Sequence, residues 1–293
     1  MTTKTFNPSE LVLAPDGSLY HIRLFPEQIA DTVLLVGDPE RVKTISSFFD
    51  AVESTTQNRE IFSATGTYKG KRLTVLSTGM GTDNIDIVVT ELDAAVNIDL
   101  KEKKIKAEHK TLNLIRIGTS GALQPEIVAG ESIISEYAIG IDGLLYFYKE
   151  HEAVIDADLT KSFIKQTNWS ENLPTPYGVK GSEYLMEKLN IARHRGITVT
   201  APGFYGPQGR EIRLEPSVEN GNERLADCRF PNGRILNLEM ETSALYGLGK
   251  MLGHHTITVC LVIANRSNGS FLSDYKQKMN EMIQDVLEKA ALL

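Results

Sequence analysis

The stretch Leu-Asn-Leu-Ile-Arg-Ile-Gly-Thr-Ser-Gly at residues 112–121 decides the fold prediction for this chain. An apolar run that stops at small, polar, glycine-flanked residues predicts a central strand that ends at a pocket. The guanidinium of Arg116 is costly in a strand buried on both faces of a sheet unless an anion meets it. A phosphate beside the hydroxyls of Thr119 and Ser120 would meet it, and so would a structural carboxylate. The rest of the sequence has to decide between these two interpretations.

Length, charge and cysteine content narrow the class of protein. The 293 residues suffice for one large α/β domain or two smaller ones, and the regular alternation of strand-like and helix-like segments favours one continuous sheet. A net charge of −7 argues against a nucleic-acid binder. Two cysteines, Cys228 and Cys260, are too few for a disulfide framework and fit a reducing compartment. The sequence contains no signal-peptide pattern and no membrane-spanning run, so we expect a soluble, cytoplasmic protein without a membrane partner.

The first candidate anion site follows a short strand. The run Val-Leu-Leu-Val at residues 33–36 predicts the strand, and Asp38 and Pro39 suit the N-cap and first position of a helix. Gly37 therefore lies where a strand meets a helix N-terminus, whose free N–H groups and dipole attract anions. Arg41 adds a planar set of donors suited to phosphate. Many α/β proteins contain such a turn, so its function depends on what lies near it.

A second glycine turn argues against a dinucleotide-binding protein. Alternating residues 61–68 and the run at 73–76 predict two strands, and apolar residues over 85–96 recur at helical spacing. Between strand and helix, Gly-Met-Gly at residues 79–81 lacks the third glycine of the G-x-G-x-x-G pattern. An NAD-dependent oxidoreductase is therefore poorly supported. Arg59, taken alone, has the pattern of a surface arginine.

Other segments give structural predictions without candidate site residues. Strands are predicted at residues 127–135, 137–141, 197–201, 235–238 and 256–264, helices at 159–164, 182–192, 244–252 and from about 273 to the end, and a loop at 142–148. Two polar stretches are predicted to be insertions, namely a solvated helix end or loop at 101–110 and a loop at 213–232.

The loop at residues 203–210 combines aromatic, amide and guanidinium groups. The ring of Phe204 or Tyr205 can stack on a base. Gln208 and Arg210 together present the acceptor and donors that a pyrimidine edge requires. An aromatic-anchored turn with two solvated polar side chains would have the same composition.

Two carboxylates flank a methionine where a predicted strand meets a helix. In Glu239-Met240-Glu241, a carboxylate can accept hydrogen bonds from both hydroxyls of a ribose cis-diol, and the methionine offers an apolar surface. A glutamate at a helix N-terminus also stabilises the helix dipole, which is the competing interpretation.

Five motifs together resemble the nucleoside phosphorylase family, and within it the uridine phosphorylases. They are Val-Gly-Asp-Pro-Glu-Arg at 36–41, Ile-Arg-Ile-Gly-Thr-Ser-Gly at 115–121, Phe-Tyr-Gly-Pro-Gln-Gly-Arg at 204–210, Glu-Met-Glu at 239–241 and Val-Ile-Ala-Asn-Arg at 262–266. The resemblance extends from about His21 to the terminal helix, and it is specific because the motifs occur together and in order. It implies an α/β fold with a mixed central sheet, a single-domain three-layer α/β/α architecture of the phosphorylase/hydrolase-like type over residues 1–293.

The resemblance also implies roles for individual residues. Inorganic phosphate, the co-substrate, would be bound by Gly37, Arg41, Arg116, Thr119 and, from a neighbouring subunit, Arg59. The ribose would be held by Met240, Glu241 and, across the same interface, His21 at the 5′-hydroxyl, and uracil by Phe204, Gln208 and Arg210. The expected catalytic residues are Arg116, Gln208, Arg210 and Glu241. A homodimer would then be the smallest working unit, and relatives are commonly hexamers built from three such dimers.

Single positions carry the expected base and metal preferences. Purine-specific relatives have an aspartate where this chain has Asn265, and because an asparagine cannot act as a general acid, we expect a pyrimidine substrate. Relatives that bind an interface potassium ion use a glutamate matching Glu60 and a serine where this chain has Asn84, so only Glu60 matches a potassium site. The expected reaction is reversible phosphorolysis of uridine without an organic cofactor. The alternatives are a purine nucleoside phosphorylase, a nucleosidase that uses water, and a non-catalytic nucleoside-binding protein.

Overall fold

The computed structural model describes residues 5–293 and is built around a large mixed sheet. The strands of this part of the chain are β1 (Thr32–Val36), β2 (Ala51–Asn58), β3 (Ile61–Tyr68), β4 (Lys71–Ser77), β5 (Ile98–Asp99), β6 (Lys104–Ile105), β7 (Asn113–Ala122), β8 (Ser132–Gly140), β9 (Tyr177–Lys180), β10 (His194–Thr200), β11 (Arg229–Phe230), β12 (Gly233–Glu239), β13 (His255–Asn265) and β14 (Ser270–Phe271). Its α-helices are α1 (Pro39–Ser46), α2 (Thr82–Asn97), α3 (Ala157–Thr167), α4 (Glu183–Lys188), α5 (Gly221–Asp227), α6 (Thr242–Met251) and α7 (Lys276–Ala290).

The sheet joins strands from both ends of the described chain. Its order is β11-β12-β10-β8-β13-β7-β1-β4-β3-β2, with β14 paired to β13 and β9 paired to β8. Neighbours β1, β4, β7 and β13 run parallel, whereas β2, β3 and β4 form an antiparallel meander. The expected three-layer α/β/α fold with a mixed central sheet is confirmed. Because strands from Thr32 to Phe271 share one sheet, we propose that the chain forms one domain.

One end of the sheet closes on itself, and this closure positions the candidate site. Besides its place in the strand order, β12 pairs antiparallel with β7, so that Asn237 lies opposite Ala122 and Leu238 opposite Gly121. The carboxyl ends of β7 and β12 therefore meet. Residues more than a hundred positions apart in sequence come together where both strands end.

The local signals at the start of α1 act as predicted. All five residues of β1 are buried, and the chain then turns into α1 with Asp38 as N-cap and Pro39 as first residue. The Asp38 carboxylate accepts a hydrogen bond from the Glu40 N–H at 2.9 Å. Val42 and Ile45 of α1 are fully buried in the main apolar core. Gly37 thus lies at a strand-to-helix junction, as its neighbours predicted.

Several element predictions need correction. Residues 127–135 and 137–141 are not two strands, since 132–140 form the single strand β8; its register with β10 shifts between Ser135 and Tyr137, at the polar Glu136 that looked like a break. The predicted helix at 182–192 ends at Lys188, and the 142–148 segment contains a 3₁₀ turn, Leu144–Phe147. The charged 101–110 segment belongs to neither a helix end nor a plain loop, because Ile98–Asp99 and Lys104–Ile105 pair as a small hairpin outside the main sheet. The 213–232 stretch contains α5 and β11.

Among the described residues, no helix has both the length and the apolar character needed to cross a membrane.

Candidate active site

A cavity of about 850 Å³ lies where the strands carrying the sequence motifs end. Its lining includes most of the residues singled out from the sequence: Gly37, Arg41, Glu60, Arg116, Thr119, Phe204, Gln208, Arg210, Met240 and Glu241. These come from five separate stretches of the chain. The site therefore depends on the tertiary fold.

Two arginines meet on the strand side of the cavity. The guanidinium of Arg41 extends from the first turn of α1 and donates to the Ile117 carbonyl oxygen of β7 at 3.2 Å. Burial, followed by the charge of Arg116, lowers the pKa of Arg41. Because the positive charge of Arg116 disfavours the charged form of Arg41, an anion beside these two guanidinium groups would be favoured. This end of the cavity is thus suited to an oxyanion.

Arg116 is held in the core by carboxylates, as one of the two interpretations of the sequence expected. This pairing does not decide whether Arg116 also binds an anion. Its Nη2 donates to Glu241 in a short contact, its Nη1 lies 3.4 Å from Glu239, and Nη1 also donates to the Cys260 sulfur at 3.6 Å. Only 4% of Arg116 is exposed. Burial opposes its charge, but Glu241 and then Glu239 outweigh burial and raise the pKa of Arg116. The Arg116 Nε has no hydrogen-bond partner in the described residues, so the carboxylates leave one donor of this side chain free.

The two glutamates of the Glu-Met-Glu motif accept hydrogen bonds from different parts of the structure. Glu239 accepts hydrogen bonds from the N–H groups of Glu241 at 2.9 Å and Thr242 at 3.0 Å, and from the Thr200 hydroxyl at 2.6 Å. It therefore satisfies free donors at the start of α6 and links that helix to β10. Glu241 instead accepts from the Gly81 N–H at 2.9 Å and contacts Arg116. Burial raises the pKa of the Glu241 carboxyl, against the opposite effect of Arg116.

A loop, residues 203–210, forms another part of the cavity lining. In residues 203–210 the guanidinium of Arg210 lies over the ring of Phe204, 3.7 Å from its centroid, and donates to the Gln208 side-chain oxygen at 2.8 Å. Burial and the neighbouring Arg266 lower the pKa of Arg210 to about 10, which leaves it charged at neutral pH. A second cavity of about 1010 Å³ is lined by part of this loop and by the insertion after residue 211.

Residues 31–292 match the phosphorylase superfamily. The chain belongs to this superfamily. It is 33% identical over 268 residues to a uridine phosphorylase of Thermococcus kodakarensis. The aligned region covers 91% of this chain and 84% of that protein. The chain is 30% identical to a DeoD-type purine nucleoside phosphorylase of Shewanella loihica, with 93% and 98% of the two chains covered. Its structure resembles that of a Trypanosoma brucei nucleoside phosphorylase described as having uridine phosphorylase activity, with a TM-score of 0.88 at 29% identity over 97% of this chain and 99% of that one.

The superfamily establishes the class of enzyme. These relatives are nucleoside phosphorylases, which transfer a pentosyl group to phosphate and require no organic cofactor. The chain is accordingly a pentosyltransferase of the nucleoside phosphorylase group, as the motifs implied. Because its relatives include both uridine and purine phosphorylases, membership alone leaves the base open.

Two residues expected at the site lie outside this phosphorylase cavity. Arg59 forms the exposed turn between β2 and β3, with its guanidinium 5.7 Å from the centre of the Tyr20 ring. The neighbouring Asn58 donates its side-chain N–H to the His21 carbonyl oxygen at 2.8 Å, so His21 and Arg59 belong to one surface region. This is the arrangement expected of residues that serve a neighbouring subunit, and their roles there stay predictions.

The potassium expectation at Glu60 depends on Asn84. Both side chains lie against Gly79, where a Cβ would clash with the amide nitrogen of Asn84 and lie 3.2 Å from the Glu60 Cγ. Hard cations take oxygen ligands, and Asn84 carries an amide oxygen where potassium-binding relatives have a hydroxyl. The potassium site therefore stays a prediction.

Another group in the described part of the chain has the residue types of a metal site. The potential ligand atoms of Asp93, His109 and His254 lie within 4.8 Å of one another. However, the Leu112 N–H donates to Nδ1 of His254 at 3.1 Å, so the neutral ring carries its proton on Nε2, which faces Asp93 at 3.2 Å. A protonated nitrogen is not a metal ligand, and the group is better described as a buried histidine paired with a carboxylate.

Sequence reasoning gave no role to Glu239 and Arg266, although both line the cavity. The signal for Glu239 was present in the Glu-Met-Glu motif, but the sequence does not say which carboxylate faces Arg116. Arg266 follows the end of β13 and donates to the Gly209 carbonyl oxygen at 3.2 Å, which connects it to the loop of Arg210. Its position two residues beyond an apolar strand was the available signal.

Proposed function

We propose that this enzyme catalyses the reversible phosphorolysis of uridine to uracil and ribose 1-phosphate. The observation that carries the proposal is that Arg41 and Arg116 line the same cavity as Phe204, Gln208 and Arg210. One cavity thus offers cationic groups for a phosphate and an aromatic, amide-bearing loop for a flat base, and we assign the ribose to the space between them. The Thermococcus and Trypanosoma relatives support the choice of uridine.

Phosphate binding is assigned to the arginine end of the cavity. Gly37, Arg41, Arg116 and Thr119 supply the donors from this chain, and Arg59 of a neighbouring subunit completes the set. Breaking the N-glycosidic bond leaves positive charge on the ribose, and a phosphate held beneath the sugar stabilises that charge and attacks the anomeric carbon. No covalent enzyme intermediate is needed.

The ribose and the base are assigned to the other two walls. Met240 packs against the sugar and Glu241 accepts from its hydroxyls, while Arg116 fixes the direction of the Glu241 carboxylate. Gln208 and Arg210 stabilise the negative charge that develops on the departing uracil. Phe204 provides the flat apolar surface on which the base stacks.

Shared active sites follow from this assignment. Because His21 and Arg59 lie away from their own cavity, a homodimer is the smallest active unit, and three dimers can assemble into a hexamer. Phosphate is the co-substrate in each site.

A purine nucleoside phosphorylase is the second candidate, favoured by the 30% identity to the Shewanella enzyme. The surroundings of Asn265 speak against it. Its side-chain N–H₂ donates to the carbonyl oxygens of Gln124 at 2.9 Å and Ile127 at 2.7 Å, and its oxygen accepts from the N–H of Ser267 at 2.8 Å. An amide committed to these groups has nothing left to offer a purine ring nitrogen.

The test is a panel of uridine, thymidine, cytidine and inosine, each measured with and without added phosphate. Phosphate-dependent release of uracil at the highest rate in the panel is the expected result. Release of base without phosphate would indicate a nucleosidase, and faster cleavage of inosine would indicate the purine enzyme. Calorimetric binding of uridine with no turnover under any condition would leave only a nucleoside-binding protein.

A further inference from the structure

The carboxylate of Glu91, on α2, is directed at one turn of the chain. Its Oε1 lies 2.5 Å from Nδ1 of His21, and its Oε2 accepts the backbone N–H groups of His21 and Ile22, each at 2.9 Å. The Glu91 side chain is 13% exposed and that of His21 is 29% exposed. A single acid therefore holds both the backbone and the ring of His21, although it does not line the cavity of its own chain.

This contact fixes which ring nitrogen of His21 carries the proton. An ionised carboxylate has no hydrogen to give, so the hydrogen bond requires the proton to be on Nδ1. The neutral ring then has its lone pair on Nε2. A carboxylate behind a histidine commonly fixes ring orientation and tautomer in this way.

The same turn is anchored from a second side. Asn58 donates to the carbonyl oxygens of His21 at 2.8 Å and Tyr20 at 3.3 Å, and the side chain of Ile22 is buried. The backbone on either side of the ring is thus held, and the His21 side chain stays 29% exposed. The ring is presented in one orientation before any ligand arrives.

We propose that Glu91 is a positioning residue that presents Nε2 of His21 as a hydrogen-bond acceptor to the 5′-hydroxyl of the nucleoside in the neighbouring subunit. The inference rests on the proposed function, which places His21 at that hydroxyl. It adds that the site recognises the 5′-group as a hydrogen-bond donor. This preference is determined by Glu91, which does not contact the substrate.

Substitution of Glu91 by glutamine should reverse the tautomer. The two backbone N–H groups need an oxygen, so the amide oxygen takes the position of Oε2 and the amide N–H₂ faces Nδ1 of His21. The lone pair then belongs on Nδ1 and the proton moves to Nε2. The shape of the site is retained while the character of the outer nitrogen changes from acceptor to donor.

The change of tautomer can be detected by comparing kcat/KM for three substrates: uridine, 5′-deoxyuridine and 5′-amino-5′-deoxyuridine. The assay pH should lie below the ordinary pKa of an alkyl amine, so that the 5′-ammonium group only donates hydrogen bonds. In the wild type we expect kcat/KM for the amino substrate to equal or exceed that for 5′-deoxyuridine. In Glu91→Gln we expect kcat/KM for the amino substrate to fall at least about tenfold relative to kcat/KM for 5′-deoxyuridine, because one hydrogen bond is replaced by two donors that face each other. The kcat/KM for 5′-deoxyuridine itself should stay within about twofold of the wild-type value.

Asp93→Asn is the matched control, since it removes a second carboxylate of α2 that also pairs with a histidine, His254. It should leave the order of the three substrates as in the wild type. Nitrogen-15 NMR of histidine-labelled wild type gives a test that needs no variant, with the expected His21 tautomer protonated on Nδ1.

Distinct outcomes separate this inference from the proposed function. If His21→Ala removes the preference for uridine over 5′-deoxyuridine but Glu91→Gln keeps the wild-type ratios for all three substrates, the role of Glu91 is overturned and the function stands. A His21 tautomer protonated on Nε2 in the wild type also overturns it. If His21→Ala itself keeps the wild-type ratios, His21 does not meet the 5′-group, and that part of the proposed function falls as well.

Discussion

The two walls of the cavity are built in opposite ways. The wall assigned to phosphate and ribose stands on strands and a helix start, and its Arg116, Glu239 and Glu241 are buried and bonded to one another or to backbone N–H groups. The wall assigned to the base is an irregular loop in which Phe204 is 49% exposed and Arg210 bonds mainly to its own loop. The part of the site that we assign to phosphate and ribose is thus continuous with the core. The part that we assign to the base can change without disturbing that core, which fits relatives of both base classes at similar identity.

The largest expected effect comes from breaking the buried wall at Arg116. Arg116→Met leaves Glu239 and Glu241 buried without their cation, so we expect the free energy of unfolding to fall by about 3–5 kcal/mol together with loss of activity. Urea denaturation measures the first and the uridine assay the second. Arg193→Met removes an exposed arginine that pairs with Glu131 at 2.8 Å, and it should cost at most about 1 kcal/mol. Equal stability of the two variants would mean that the buried carboxylates do not depend on Arg116.

A substitution in the loop that lines the cavity should lower the activity of the enzyme without lowering its free energy of unfolding. Arg210→Ala removes the charge assigned to the developing uracil anion, and we expect kcat/KM for uridine to fall about 10²–10³-fold. Its stability should change by no more than about 1 kcal/mol, because the guanidinium bonds within an exposed loop. Arg213→Ala, an exposed arginine of the neighbouring insertion, is the control and should keep wild-type turnover. A large loss of stability in Arg210→Ala would show that the loop is part of the core after all.

Phosphate should stabilise the strand wall even without nucleoside. Arg41 and Arg116 repel each other in a buried setting, and an anion between them removes that repulsion. At a phosphate concentration 100 times its Kd, the free energy of unfolding should rise by about 2.7 kcal/mol. Arg41→Ala should need much more phosphate for the same thermal shift, with chloride at matched ionic strength as the reference. An unchanged midpoint in the wild type at high phosphate would contradict the assignment of this wall.

The sequence was sufficient to predict the local structure of both cavity walls, but it was not sufficient to predict which distant residues contact each other. Gly37 at a strand-to-helix junction followed from capping chemistry, and the density of functional groups after residue 203 marked the base loop. Arg116 and Glu241, 125 positions apart in the sequence, are joined by the antiparallel pairing of β7 with β12 that closes the sheet. No local pattern encodes that pairing, and for this reason the phosphate and carboxylate interpretations of Arg116 could not be separated beforehand. The structure shows that the carboxylates are present and that the cavity is lined by Arg116 as well.

A similar limit explains the other differences. Glu136 interrupts an apolar run and so resembles a strand end, but a register shift in the pairing of β8 with β10 accommodates it within one strand. The contact between Glu91 and His21 joins a helix to a turn 70 residues earlier, and neither residue type in isolation indicates a partner. Spatial neighbours of this kind become visible only once the core has been assembled.

The smallest expected effect lies at the exposed ring of Phe204 and measures how far the loop wall recognises the base by shape alone. Phe204→Leu keeps an apolar side chain but removes the flat surface that lies beneath Arg210 and that we assign to uracil, so KM for uridine should rise about fivefold, or about 1 kcal/mol. Phe204→Tyr keeps the ring and should remain within about twofold of the wild type. Because half of the side chain faces solvent, the leucine variant should unfold at the wild-type urea concentration. If KM is unchanged in Phe204→Leu, the base is held by Gln208 and Arg210 alone, and the loop recognises hydrogen-bonding groups without contributing a stacking surface.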